Sequence, residues 1–133
     1  MSAPSVFTIA GRAMSAQLLR LNTNASNLAN AGSVAGTEAG AFRALKPVFR
    51  ATDEGEGLAS VQVDSVVAST TAPTMRHDPG HPLADANGNV WEAGVDATAE
   101  MVEMLETARQ YQNNVQVMET AKTLMLDTLR IGR

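Results

Sequence analysis

The chain has 133 residues, 44% of them apolar, and a net charge of −4 from 14 acidic and 10 basic side chains. That length fits one domain, the absence of cysteine removes disulfide frameworks, thiolate zinc sites and cysteine nucleophiles, and the mildly acidic balance offers no electrostatic footprint for nucleic acid. Alanine supplies 22 of the apolar residues and only five are aromatic, so a self-sufficient core is thin, and part of the chain's burial is expected against something else.

In chain order, Ser5 to about Ala31 places Phe7, Gly11, Met14, Leu18, Leu21, Ala25 and Leu28 at alternating steps of four and three. That is a heptad seam, and it predicts a helix with Pro4 before it and Ser5 as its N-cap. The helix should fade where Asn30, Gly32 and Gly36 accumulate, and Gly32 to Gly40 reads as a flexible connector. The longest uncharged stretch, Leu21 to Thr37, carries Asn22, Asn24, Asn27 and Asn30 and is no membrane span. The first seven residues lack the basic and apolar regions of a cleavable secretory signal, so any export is expected to take another route.

The middle changes period. Phe42 to Phe49 and Ala59 to Val67 read as short strands with Asp53–Gly57 as the turn between them. Pro73, Pro79, Gly80 and Pro82 punctuate the stretch after Thr70, Asp85-Ala-Asn-Gly-Asn89 is a strong turn signal, and Val90-Trp91 begins another short strand. From Asp96, a plausible N-cap, a helix over Ala97–Arg130 carries Met101, Met104, Ala108, Tyr111, Val115, Met118, Lys122, Met125 and Leu129 at three-four steps. A second stripe, Val117, Ala121, Leu124, Thr128 and Ile131, joins it near the end. Such a rod is about 50 Å long, more than a globule of this size needs internally.

The fold class expected is α+β. Long N- and C-terminal helices pack as a coiled-coil-like pair, with a small irregular β insert between them. The division is 1–40 (helix and connector), 41–95 (β-rich outer part) and 96–133 (helix), carrying net charges of +1, −3 and −2. Opposite signs on the two helical ends suit pairing only weakly, since exposed ion pairs contribute about 0–1 kcal/mol.

Sites with chemistry are sparse. His77 and His81 have a spacing that suits a metal on a helix, but Pro79 and Pro82 forbid the helix, so they read as loop histidines. Asp85, Asn87 and Asn89 imitate the opening of a calcium loop, with the glycine fourth rather than sixth and Asp96 where a bidentate glutamate belongs. Nucleotide-binding and serine-hydrolase glycine motifs are absent, and no acid-base pair is evident. Glu100, Glu103 and Glu106 step by three and read as a solvated face. Four of the seven methionines lie on the C-terminal seam, where they suit ordinary core filling or an adaptable interface equally. The four asparagines at one helix end are mediocre helix formers with no evident use inside a single chain, so hydrogen bonding within an assembly is expected of them.

Those asparagines carry a resemblance. Ala25-Ser-Asn-Leu-Ala-Asn-Ala31 closely resembles the Asn-Leu-Ala-Asn motif that marks bacterial flagellar rod and hook axial proteins near their N-termini. Asp78-Pro-Gly-His-Pro-Leu-Ala-Asp85 with Gly88 and Val90, Val95-Asp96 leading into Glu100–Met104, Ala108–Val115 and Thr120–Met125 are similar to the proximal-rod branch of the flagellar basal-body rod protein family. The likeness spans nearly the whole chain. The stretch from Gly32 to Gly40 and the acidic turn after Arg50 depart from the pattern.

The resemblance implies a structural subunit, not an enzyme, with no cofactor and no metal. It implies export by the flagellar type III apparatus without cleavage and assembly in the periplasmic rod of the basal body. The implied partners are copies of itself and other flagellar axial proteins, meaning rod proteins and the protein joining rod to export gate, without nucleic acid or membrane insertion. The terminal helices would form a hollow helical tube that transmits torque and serves as the export channel in flagellum-dependent motility. Carried onto this sequence, the subunit-packing residues are Met14, Leu18, Leu21, Leu28, Met104, Tyr111, Val115, Met118 and Met125, with Asn27 and Asn30 from the motif. An open head-to-tail interface also generates such a filament on physical grounds, and the terminal segments are then expected to order largely on assembly. The rival reading is a soluble helical adaptor or export chaperone that binds one partner through the same helices.

Overall fold

The structure, a computed structural model, describes residues 5–132, so Pro4 lies outside the described residues. Helix α1 spans Val6–Asn30, and Ser5 caps it as expected: its backbone is extended and its side chain accepts from the Thr8 N–H. Helix α2 spans Ala97–Ile131, and Asp96 Oδ1 accepts from the N–H groups of Thr98 and Ala99 at 3.0 and 3.1 Å. No glycine or proline interrupts α2, so it runs about 50 Å before Gly132 ends it.

The helices pair antiparallel. Gln17 Nε2 donates to Gln110 Oε1 at 2.9 Å, Asn24 lies beside Glu103, and Val6 shares a recess with Val117, Ala121 and Leu124. Because α2 is ten residues longer than α1, its last turns run past the start of its partner, and every residue from Lys122 to Gly132 is exposed.

Between the helices lie five strands: β1 Val34–Ala35, β2 Leu45–Gly55, β3 Leu58–Ala68, β4 Thr74–His77 and β5 Asn89–Glu92. β2 and β3 form an antiparallel hairpin, from Leu45 opposite Ala68 to Gly55 opposite Leu58, with register shifts at Val48/Phe49 and Asp53/Gly55. β1, β5 and β4 form a second antiparallel sheet in that order, Trp91 standing between Ala35 and Met75. The hairpin lies against α1, so α1 has α2 on one side and the hairpin on another.

Three expectations change. Gly32 to Gly40 is no mere connector: Val34 and Ala35 pair with Glu92 and Trp91, and a Cβ on Gly36 would stand 3.0 Å from the Leu83 carbonyl oxygen. The hairpin starts later and runs longer than its apolar runs indicate. Asp53, Glu54 and Gly55 belong to β2, while the reversal itself uses Gly55, Glu56 and Gly57 at φ 83°, 53° and 76°, a region that favours glycine. The proline-punctuated stretch contains β4, which a period-2 search misses because all four of its residues are exposed. Gly94 closes the insert: its N–H donates to Phe42 O at 2.9 Å, and a Cβ there would meet Thr71 O at 2.7 Å.

The interior is as thin as the composition implies. Among the described residues the buried apolar side chains are Ala10, Ala16, Ala41, Ala44, Ala93 and one valine, Val90, while seventeen large apolar residues are exposed.

Candidate functional site

The candidate site is the surface of the helix pair together with the contacts that orient it. On the hairpin side of α1, Arg12 Nη1 donates to Glu54 Oε1 and to Ser60 Oγ (2.8 Å), and the Ser60 hydroxyl donates to Glu54 Oε1 at 2.5 Å. The Ser60 hydrogen bond is the largest cause holding the Glu54 carboxyl below its ordinary value. Partial removal from water opposes it, and the Arg12 charge adds to it. One turn further along, Ser15, Ala16 and Leu19 line an open groove with Val61 and Val63.

At the other end of α1, Asn27 is 1% exposed and bonds a single backbone residue twice. Its Nδ2 donates to Leu45 O at 2.8 Å, and Leu45 N donates to its Oδ1 at 2.7 Å. The side chain thus acts as a one-residue strand at the root of the hairpin. This corrects the expectation that the single chain has no use for these amides: Asn27, carried over as a subunit-packing residue, spends its whole amide inside the chain. Asn30, the other motif asparagine, bonds its own helix at Ser26 O (2.8 Å). Asn24 is buried with its Nδ2 unpartnered, and Asn22 is exposed.

The line along which α1 meets α2 is polar and small. Ala10, Gln17 and Asn24 repeat every seven residues on α1 and are buried or bonded across. On α2, Thr107 is fully buried with its hydroxyl on Glu103 O at 2.7 Å. Glu100 is also buried, its Oε2 unpartnered, which corrects the solvated-face reading. The antiparallel pairing lays the first turn of α2 against the asparagine end of α1, so only Glu103, 3.6 Å from Lys46, and Glu106, bonded to Gln110, remain toward solvent.

The expected seam lies beside that line. Met14, Leu21 and Leu28 flank it and are half-buried, whereas Leu18 turns clear of it and is 46% exposed. On α2, Met104, Tyr111, Val115 and Met118 are half-buried and Met125 is exposed. Beyond the pairing, Leu124, Met125, Leu126, Leu129 and Ile131 form a broad exposed apolar face on the α2 tail, bordered by the Asp127–Arg130 pair.

Sequence reasoning misses the Arg12–Glu54–Ser60 cluster, whose members are 42 and 48 residues apart. It also misses the Asn27 clamp, although an asparagine run inside a helix, against propensity, is its one visible signal. His77 bonds Asn89 through Nδ1 at 3.1 Å and His81 Nδ1 accepts from Leu83 N, so both rings serve their own turns. Asp85 Oδ1 accepts from the N–H groups of Asn87 and Asn89, making the expected turn an Asx turn. Among the described residues no helix is long and apolar enough to cross a membrane, and no group of three or more His, Cys, Asp or Glu is placed to hold a metal ion.

Comparison with known proteins matches these parts. A family profile described as "Flagella basal body rod protein" matches residues 7–36, which are α1 and β1. One described as "Flagellar basal body rod FlgEFG protein C-terminal" matches residues 86–131, which are β5 and α2. Over 130 residues, 97% of each chain, this protein is 44% identical to the flagellar basal-body rod protein FlgC of Salmonella typhimurium. It is equally similar, at 44% over the whole of both chains, to FlgC of Yersinia enterocolitica, and 36% identical, over 99% of each chain, to FlgC of Buchnera aphidicola from Schizaphis graminum.

Proposed function

Since this chain belongs to the flagellar basal-body rod protein family, we propose that it assembles through its terminal helices into a hollow helical tube whose wall is shared among subunits. The protein is a structural subunit of the basal-body rod, not an enzyme, and it assembles with other flagellar rod components. Passage through the flagellar type III export apparatus precedes assembly in the periplasmic span of the rod. The tube then transmits torque and conducts later export substrates, its junction at the export gate being one of its neighbours. Of the expected division, 1–40 and 96–133 supply the wall through α1 and α2, while 41–95, joined by β1 through its pairing with β5, stand outside it.

One observation carries this reading. Among the described residues the single chain buries five alanines and one valine, yet exposes seventeen large apolar residues, nine of them on α2. A monomer rarely leaves so much apolar surface in contiguous stripes, and a non-closing, head-to-tail contact buries it in an open helical array. The packing surface includes Met14, Leu18, Leu21 and Leu28 on α1 and Met104, Tyr111, Val115, Met118 and Met125 on α2. Asn27 stands apart from them, its amide being used within the chain.

The experiment is detergent extraction of cells followed by sedimentation of basal bodies. The chain is expected in the pellet at a fixed ratio to other rod proteins and to stay there through high salt. Recovery in the supernatant, bound one-to-one to a single partner, would refute the rod assembly and establish the adaptor reading.

A further inference from the structure

We propose that Asn27 is a positioning residue: it sets the direction in which the β2–β3 hairpin leaves α1, and so how the outer part of the subunit hangs from the helical wall. The side chain is buried and makes both bonds that a neighbouring strand would make, to the N–H and the carbonyl of Leu45. The root it grips is held from two further sides. The Ala44 carbonyl accepts from Ser69 N at 2.6 Å, closing the hairpin's open end, and Lys46 pairs with Glu103 of α2. The tip is held separately, by Arg12 on Glu54 and Ser60.

Root and tip are therefore pinned to one helix at Asn27 and Arg12. Helical rise separates those residues by about 22 Å, while an extended strand from Leu45 to Glu54 covers about 30 Å. The ribbon has excess length between its pins, and the register shift at Val48/Phe49 bends it. With the root released, that excess lets the hairpin pivot about its tip. Held, the ribbon has one direction. An amide alone does this, because a carboxylate offers the Leu45 carbonyl no donor and an alanine offers nothing.

The test uses the full chain, which has no native cysteine. Cysteines replacing the exposed Ser15 on α1 and Val67 at the root carry nitroxide labels, and their separation is measured by double electron–electron resonance. The parent pair is expected to give one narrow distance peak. Asn27→Asp should lose that peak to a broad distribution while helix content by circular dichroism stays at the parent level. Asn30→Ala, which removes only a bond within α1, should keep it. If Asn27→Asp unfolds the chain, Asn27→Gln, with the same amide on a longer arm, should shift the peak with helix content intact. A parent-like peak in Asn27→Asp, an equal broadening in Asn30→Ala, or loss of helix content in both Asn27 variants would overturn the proposal. The measurement is made on the free subunit, so its failure is separate from a failure of the tube assembly, on which only the consequence for the outer part rests.

Discussion

Replacing Leu129 by lysine separates folding from assembly. Leu129 is 65% exposed on the α2 tail, with no partner helix alongside. In the free chain the substitution is nearly silent: surface changes of this kind stay within about 0.5 kcal/mol, and a lysine in the last turns faces the favourable end of the helix dipole. In the proposed tube the same position is an apolar contact. Full burial of a leucine is worth about 1.5–3 kcal/mol, so the two-thirds still exposed amounts to about 1–2 kcal/mol per subunit. Placing an ammonium there adds several more, reduced as the long side chain bends its charge toward water. A total of about 3–4 kcal/mol corresponds to roughly a 100- to 1,000-fold loss of incorporation in competition. The assay co-expresses the variant with the parent and reads their ratio in purified basal bodies against whole cells by mass spectrometry. Gln112→Lys, an exposed change of charge on the same helix, is the control. Leu129→Lys found in rods in proportion to its expression would refute the enclosed-tail argument.

The polar line between the helices makes its own prediction: Gln17→Leu or Gln110→Leu alone should cost about 1–2 kcal/mol by orphaning its partner, while the double change should be neutral or stabilising in thermal melts. Gly94→Ala should lower stability by about 1–3 kcal/mol, read in the same melts, because its Cβ would stand 2.7 Å from a backbone oxygen that no side-chain rotation can move. Glu54 has its carboxyl held below the ordinary 4.5, so it stabilises the hairpin at neutral pH and loses that contribution as pH falls through the lowered value. The melting difference between parent and Glu54→Gln should accordingly be present at neutral pH and vanish in acid; a difference independent of pH would show that the latch is not ionic. Hydrogen exchange on the free subunit should be fast from Lys122 to Ile131 and slower over Val102–Ala121, and uniform fast exchange along α2 would show that the helix pair forms only on assembly.

What the sequence shows plainly is what local physics writes into it. The Ser5 and Asp96 caps, the uninterrupted run to Gly132, the Asp85–Asn89 turn and the three-four seams arise from backbone chemistry and period, and each helix end falls within a residue or two of the expected one. What it hides depends on contacts distant in the chain. β1 is two residues long and β4 wholly exposed, so neither has a period to detect; each exists because Trp91 and its neighbours on β5 supply hydrogen bonds. Glu100 reads as solvated because a spacing of three cannot tell which face an antiparallel partner will cover. Asn27 is legible as an anomaly and illegible as a mechanism, since its partner Leu45 lies eighteen residues away in an element of another kind. The open-interface argument leaves both terminal segments largely unordered in the free chain; in the structure α1 is flanked by the hairpin as well as by α2, and the unpartnered length lies in the α2 tail.

The inverted distribution, with amides inside the helix pair and leucines outside, has a physical use. Two long heptad stripes can slide by seven residues and still bring apolar side chains together, so hydrophobic contact alone specifies the register of α1 on α2 poorly. The polar line specifies it. A slip of one heptad toward Val117 would set Gln17 against methyl groups instead of Gln110, leaving its Nε2–H without an acceptor. Polar pairs of this kind lower the stability of the isolated pair while discriminating between registers. In the proposed tube the first effect is tolerable, because neighbours would supply the burial that the single chain's interior lacks. The second is what the proposed tube would need, since it would close evenly only if every subunit presented its two apolar stripes at the same offset.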